Sequence, residues 1–212
     1  MKKFIIFLVS LCLVLPAVAQ NSKALEKATK KEYQNKIKEF TKGGWKIYGS
    51  TRSLEVALLK HYEKLEADGE ENYEIMGECS KFKSKNVGHQ TCMNNAANKY
   101  ASQAGRKLKG RIVSDLAGNA DAPESEFDHF YAAYESLVQK EINGELIESF
   151  SIIKDNGDGT FEMQSYFVVS ESAATRARIR AFENAKKESE AAQRYATQVS
   201  NFINEGFNPN ED

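Results

Sequence analysis

Cys79, His89 and Cys92 carry the side chains best suited to covalent or metal chemistry in this chain, and they lie close together in sequence. The two cysteines are the only ones that follow the leader described below. In an oxidising compartment they read as a disulfide, and closing such a loop stabilises by about 3 kcal/mol in the chain-entropy model. Two free buried thiols are the alternative. A zinc site from Cys79, His89 and Cys92 has the right ligand types but lacks a fourth ligand and a familiar spacing, so no metal is expected. His61, His89 and His129 fall on separate segments. None belongs to a G-x-S-x-G, H-E-x-x-H, Walker or dinucleotide-binding motif, so neither an enzyme nor a cofactor is expected. Carboxylates are frequent from Glu124 to Glu148. Two of them brought together by the fold would make a hydrolase of envelope glycan, and that is the alternative function. The run from Asp155 to Gly159 has turn chemistry, without the spacing of a calcium loop or its terminal glutamate.

Charge is unevenly spread. Between Cys79 and Ser114 there is no acidic residue, while Lys81, Lys83, Lys85, Lys99, Arg106, Lys107, Lys109 and Arg111 supply eight cations. From Gly118 to Glu162 eleven acids face only Lys140 and Lys154. Either the two segments neutralise one another inside one fold, or the cations present a face to an anionic partner. Lys81, Lys83, Lys85, Arg106, Lys107, Lys109 and Arg111 are the candidate binding residues on the second reading.

The first residues frame that choice. Lys2 and Lys3 precede an apolar run from Phe4 to Leu15, and Pro16-Ala17-Val18-Ala19 ends it before Gln20. This is the three-part build of a secretory signal peptide with an A-x-A site, so cleavage after Ala19 and a periplasmic or secreted mature chain are expected. Cys12 lies inside the apolar run after Leu11, in no position to be lipidated. No later stretch has the length and apolarity of a membrane span. Over the whole chain 29 basic residues oppose 30 acidic ones. An exported chain of near-zero net charge is a poor candidate for nucleic acid. The expected partners are an envelope polymer, a lipid head group or an envelope protein.

The elements follow from periodicity. Residues 22–42 carry Leu25, Ala28, Tyr33, Ile37 and Phe40 at helical spacing before Gly43-Gly44. GWKIYG is a short strand, Ser50 and Thr51 precede a helix through Leu54, Leu58, His61 or Tyr62, and Leu65, and residues 72–79 make a second strand. Ser80 to Gly88 reads as a basic connection. A long helix from about His89 to Leu116 has Met93, Ala97, Tyr100 or Ala101, Ala104, Leu108 and Ile112 as its stripe. Pro123 opens an aromatic helix through Phe127, Phe130, Tyr131, Tyr134, Leu137, Val138 and Ile142, ended by Gly144. A hairpin turns at residues 156–159, and one long helix runs from Ser172 to about Asn204. The order α, β, α, β, α, α, β, β, α predicts an α+β fold, with a small, mostly antiparallel sheet packed by several helices. A leader over 1–19, a single domain over 20–205 and a polar tail over 206–212 complete the expected organisation.

Residues 92–185 resemble the LPP-twenty lipoprotein family of the cell envelope. The resemblance rests on NNAANKYASQAGRKLKGRIVSDLAG, on the hairpin GELIESFSIIKDNGDGTFEMQSYFVV and on the helix opening ESAATRARIRAFENA. The family's lipidated cysteine at the start of the mature chain has no counterpart here. The resemblance implies an envelope protein of binding or structural type and hands over no catalytic residue.

Overall fold

The computed structural model describes residues 15–67, 71–115 and 127–206. The part of the expected leader at residues 1–14, Asp68-Gly69, Leu116 to Pro123, Glu124, Glu126 and the tail from Phe207 lie outside the described residues. The chain divides into two compact units, Met1–Gly43 and Gly44–Asp212. The first contains helix α1, Leu15–Lys42.

The second unit is built on four strands: β1 (Lys46–Tyr48), β2 (Asn72–Phe82), β3 (Ile147–Asp155) and β4 (Phe161–Ser170). They pair in the order β1-β3-β4-β2, every pair antiparallel. With the helices around it, this is the α+β architecture expected from the element order. Alternation sorts the side chains of the sheet to two faces. Tyr73, Ile75, Phe167 and Val169 are buried on one, against helix α3 (Lys85–Asp115), helix α4 (Asp128–Asn143) and helix α5 (Glu171–Ala185). Phe150 and Tyr166 stack on the other, their ring centroids 4.5 Å apart, where His61 of helix α2 (Leu54–Leu65) meets both edge-on. His61, and not Tyr62, therefore holds the buried position of α2.

The long helix α3 has a winding buried stripe. Gly88, Cys92, Ala96, Tyr100, Ala104, Leu108 and Ile112 are buried and recur every four residues. At 3.6 residues per turn that spacing drifts by about 40° per step. The first half of α3 consequently packs on the sheet and the second half turns toward α4 and the C-terminal helices. Close approach to the sheet is set by Gly77 of β2, where an added Cβ would lie 1.8 Å from the Cys92 carbonyl oxygen. No side chain larger than hydrogen fits there.

Three boundaries differ from expectation. α1 begins at Leu15 and takes in Pro16 to Ala19, whereas the periodicity put this helix over 22–42. β2 continues to Phe82 and α3 starts at Lys85, so the basic stretch is divided between a strand end and a helix start. The C-terminal helix is broken: α5 ends at Ala185, Lys186–Glu188 form a single 3-10 turn, and Ser189 caps α6 (Glu190–Arg194), which is followed by α7 (Ala196–Asn204). The Ser189 hydroxyl accepts from the Ala192 amide, which ends one helix by starting another. Among the described residues no helix is long and apolar enough to cross a membrane.

Candidate functional site

Two of the clefts among the described residues are of similar size and opposite electrical design. The first, about 490 Å³, lies where the start of β2 meets α3, α5 and α7. Its floor is Arg178 of α5, only 2% exposed. Arg178 donates from Nη1 to the Tyr100 hydroxyl at 2.5 Å, and from Nη2 to Glu171 Oε1 at 2.5 Å and Thr175 Oγ1 at 2.7 Å. Glu171, Thr175 and Arg178 sit on one face of α5 at spacings of four and three. Burial pushes the Tyr100 hydroxyl up to about 12, although the neighbouring Arg178 charge pulls the other way. Burial raises Tyr134 and Tyr73 as well, and at Tyr73 the Glu171 charge adds to it. Above this floor Arg111 of α3 bonds Glu205 at 2.7 Å and Asp115 at 3.1 Å. Among the described lining residues, the three cations Lys107, Arg111 and Arg178 meet the three acids Glu71, Glu171 and Glu205.

The second cleft, about 400 Å³, lies on the other side of the unit between α2, the first turns of α3 and β3. Gly49, in the left-handed region at φ +68°, turns the chain from β1 into α2 and brings Ser50 and Arg52 to the rim. Lys60 and Lys64 line it from one face of α2, and His89 from α3. The opposite wall is Glu148, Ser149, Phe150 and Ser151. Glu148 is fully engaged: its Oε1 accepts from Ser151 at 2.5 Å and its Oε2 bonds His89 Nε2 at 2.9 Å. Ser151 Oγ is also hydrogen-bonded to Ser165 Oγ, at 2.7 Å, and with its own proton on Glu148 it accepts there, so the wall is a hydrogen-bonded chain. Because Glu148 stands between His89 and Ser151, His89 is not placed to activate that hydroxyl, and Ser151 itself is 1% exposed. β3 carries a bulge between Glu148 and Phe150, which leaves Ser149 without a strand partner. The Ser149 hydroxyl is buried and has no hydrogen-bond partner among the described residues. Three cations, Arg52, Lys60 and Lys64, therefore line a cleft whose single described acid already has a hydrogen-bond partner on each oxygen.

The expected disulfide is not formed. Cys79 and Cys92 are both free thiols. Cys92 is buried on α3 and gives its hydrogen to the carbonyl of Met163 at 3.4 Å, the strand neighbour of Cys79, so its nearest use is a backbone acceptor. Burial pushes this thiol up to about 11. His89 faces Glu148, and among the described residues no three His, Cys, Asp or Glu side chains converge as a metal site.

The cations of the basic segment are all exposed, but they do not share one face. Lys81, Lys83 and Lys85 surround the start of α3, while Arg106, Lys107, Lys109 and Arg111 lie near its other end, roughly 30–40 Å along the helix at 1.5 Å per residue. Lys85 lies over the Phe161 ring, Lys109 over Tyr131 and Arg111 over Phe202. Lys81 occupies the β2 irregularity with φ +56°. Of the described carboxylates considered for glycan hydrolysis, Glu135, Glu141, Glu145 and Glu148 are engaged by other side chains. Glu141 and Glu145 both clamp Arg180, Glu135 accepts from Ser102, and Glu148 belongs to the second cleft.

Arg178 and Ser149 were not among the residues singled out by sequence. Arg178 had a signal: it follows Ala174 by four on a buried alanine stripe, with Glu171 and Thr175 on the same face. Ser149 had none, because a bulge is set by the pairing of the whole strand. No protein-family model, curated protein or solved structure matches the chain.

Proposed function

We propose that the chain is a non-catalytic, exported protein of the cell envelope, of binding or structural type, that contacts an anionic envelope component through its cations. The observation that carries the reading is the exposure of all eight cations from Lys81 to Arg111. Lys81, Lys83, Lys99 and Arg106 form no ion pair among the described residues. Lys81 keeps a backbone conformation that costs a non-glycine residue roughly 1 kcal/mol or more, strain that a purely structural position would lose by mutation to glycine. The leader and the resemblance to the LPP-twenty family support an envelope location on this reading. Because the cations fall into two groups, the group around Lys81, Lys83 and Lys85 is the principal contact, and Arg111 is held by Glu205 and Asp115.

Sedimentation with isolated envelope fractions and with phosphatidylglycerol vesicles tests this. The full chain should be retained by both, and retention should fall as salt shortens the screening length below about 8 Å. The paired change Lys81→Glu with Lys83→Glu should weaken retention while leaving the melting temperature unchanged, since exposed lysines add little stability. Equal retention by neutral phosphatidylcholine vesicles, or indifference to salt and charge reversal, would remove the proposal. Intact mass of the exported protein should correspond to residues 20–212 without an acyl chain.

A further inference from the structure

We propose that the cleft between α2 and β3 is a binding site for a phosphate group, in particular the dianion of a phosphomonoester. This goes beyond a diffuse basic surface, because the site is concave, is separate from Lys81 and Lys83, and has a defined set of donors. Three observations lead to it, the last two joined at one residue. The first is the charge: Arg52, Lys60 and Lys64 line the cleft against Glu148 alone, and both carboxylate oxygens of Glu148 are taken by Ser151 and His89. The second is the unused hydroxyl of Ser149, buried in the cleft wall without a partner among the described residues. A buried hydroxyl left unsatisfied costs about 1–3 kcal/mol, which a ligand oxygen accepting its proton would recover. The third is the β3 bulge that puts Ser149 there, a device that re-aims a side chain at the expense of strand pairing.

A phosphomonoester fits these donors better than a carboxylate or a phosphodiester. It carries close to two negative charges at neutral pH and three strongly accepting oxygens. Arg52 offers a planar fork, Lys60 and Lys64 offer point charges from one face of α2, and Ser149 offers a short neutral donor. A carboxylate or a diester brings one charge and would leave about half of the cationic surplus uncompensated. The volume of about 400 Å³ admits the phosphate and part of what it is esterified to.

The test is a titration of the full chain with inorganic phosphate at constant ionic strength, read by calorimetry and by the NMR signals of the His89 ring and the Ser149 amide. Saturable binding of one phosphate per chain, with both signals moving and with chloride unable to reproduce the change, is expected. Arg52→Gln together with Lys60→Gln should weaken it at least about tenfold. Ser149→Ala should weaken it while leaving the melting temperature the same or higher, an outcome that a merely structural hydroxyl would not give. Lys107→Gln, in the other cleft, should leave it unchanged. Vesicles of phosphatidic acid compared with phosphatidylglycerol then distinguish sources: preference for phosphatidic acid, lost in the Arg52→Gln, Lys60→Gln variant, assigns a lipid phosphomonoester, and binding of free phosphate without that preference assigns a soluble one. The proposal is overturned if phosphate does not saturate, if chloride shifts the His89 signal equally, or if the double variant binds as the parent does. Failure here is distinct from failure of the envelope reading, since Lys81→Glu with Lys83→Glu should alter retention by envelope fractions and leave phosphate affinity intact.

Discussion

The two clefts use the same residue types to different ends. In the Arg178 cleft the two arginines each have an acid: Arg178 holds Glu171, and Arg111 holds Glu205. In the His89 cleft the acid is consumed by a histidine and a serine, and three cations stand over it. Arg178 is almost fully enclosed, whereas Arg52, Lys60 and Lys64 are exposed. Enclosure explains the difference. A buried guanidinium needs partners within the fold, and Arg178 finds them at Nη1 and Nη2, while an exposed cation has water and leaves its charge available to a partner. Charge balance, more than volume, separates a cleft that is structural from one that can bind.

The largest effect should come from breaking that balance at its buried end. Arg178→Met removes the partner of Glu171 and the donor to Tyr100 and should cost about 3–5 kcal/mol, measured by urea denaturation. If stability is unchanged, the Arg178 cleft is not the structural member of the pair. Gly77→Ala should follow at about 3 kcal/mol, because the added methyl meets the Cys92 backbone and α3 must lift from the sheet. α3 contributes His89 to one cleft and Leu108 and Arg111 to the other, so this one change should disturb both. Shifts in NMR signals confined to the His89 side would show that the two clefts are mechanically independent.

The comparison also has a pH signature. Tyr100 rises from the ordinary phenol value of 10.0 to about 12 in the fold, and Cys92 from 9.0 to about 11. Both groups are neutral when protonated, and the unfolded chain loses these protons first. Their contribution to stability is therefore complete below pH 9.0 and is lost between pH 9.0 and about 12 as the folded forms ionise. Denaturation midpoints should fall across that window and not below it. Native alkylation at pH 8 should mark Cys79 before Cys92, since only the thiolate reacts.

What the sequence revealed depended on how local the cause was. The order of elements, the Gly144 stop, the turn at residues 156–159 and the alanine-rich stripe of α3 all follow from residues within a turn or two of each other. The break after Ala185 was legible only in the capping capacity of Ser189, which the continuing alanine period concealed. The candidate sites were harder. The basic segment could be read as charge, but its division between two ends of a 31-residue helix depends on where that helix begins. The His89 cleft unites residues from four separate stretches, and its unpaired hydroxyl exists only because β3 slips by one residue against β4. No periodicity within a single segment encodes that slip. The cysteines show the same limit, since composition and compartment suggested a bond, whereas the fold gives the Cys92 thiol a carbonyl.

The smallest effect is the most discriminating. Lys60 and Lys64 stand four residues apart on α2, a spacing at which like charges oppose helix formation by about 0.2–0.5 kcal/mol. Arg52 adds a third positive charge on the same cleft, and the contacts that offset this are slight: Lys60 to Glu63 at 3.8 Å, and Lys64 to the Glu148 carbonyl at 3.5 Å. Neutralising all three with Arg52→Gln, Lys60→Gln and Lys64→Gln should therefore raise stability by a few tenths of a kcal/mol at low salt, visible as a small increase in melting temperature. Screening should abolish the gain near 1 M salt, where the Debye length is about 3 Å. Phosphate at saturating concentration should stabilise the parent chain and not the triple variant, because a ligand that binds only the folded state adds stability in proportion to its occupancy. The order of the two melting temperatures would then reverse on adding phosphate. A cleft kept for its fold alone would give the opposite result at low salt, with the triple variant less stable and phosphate without effect on either protein.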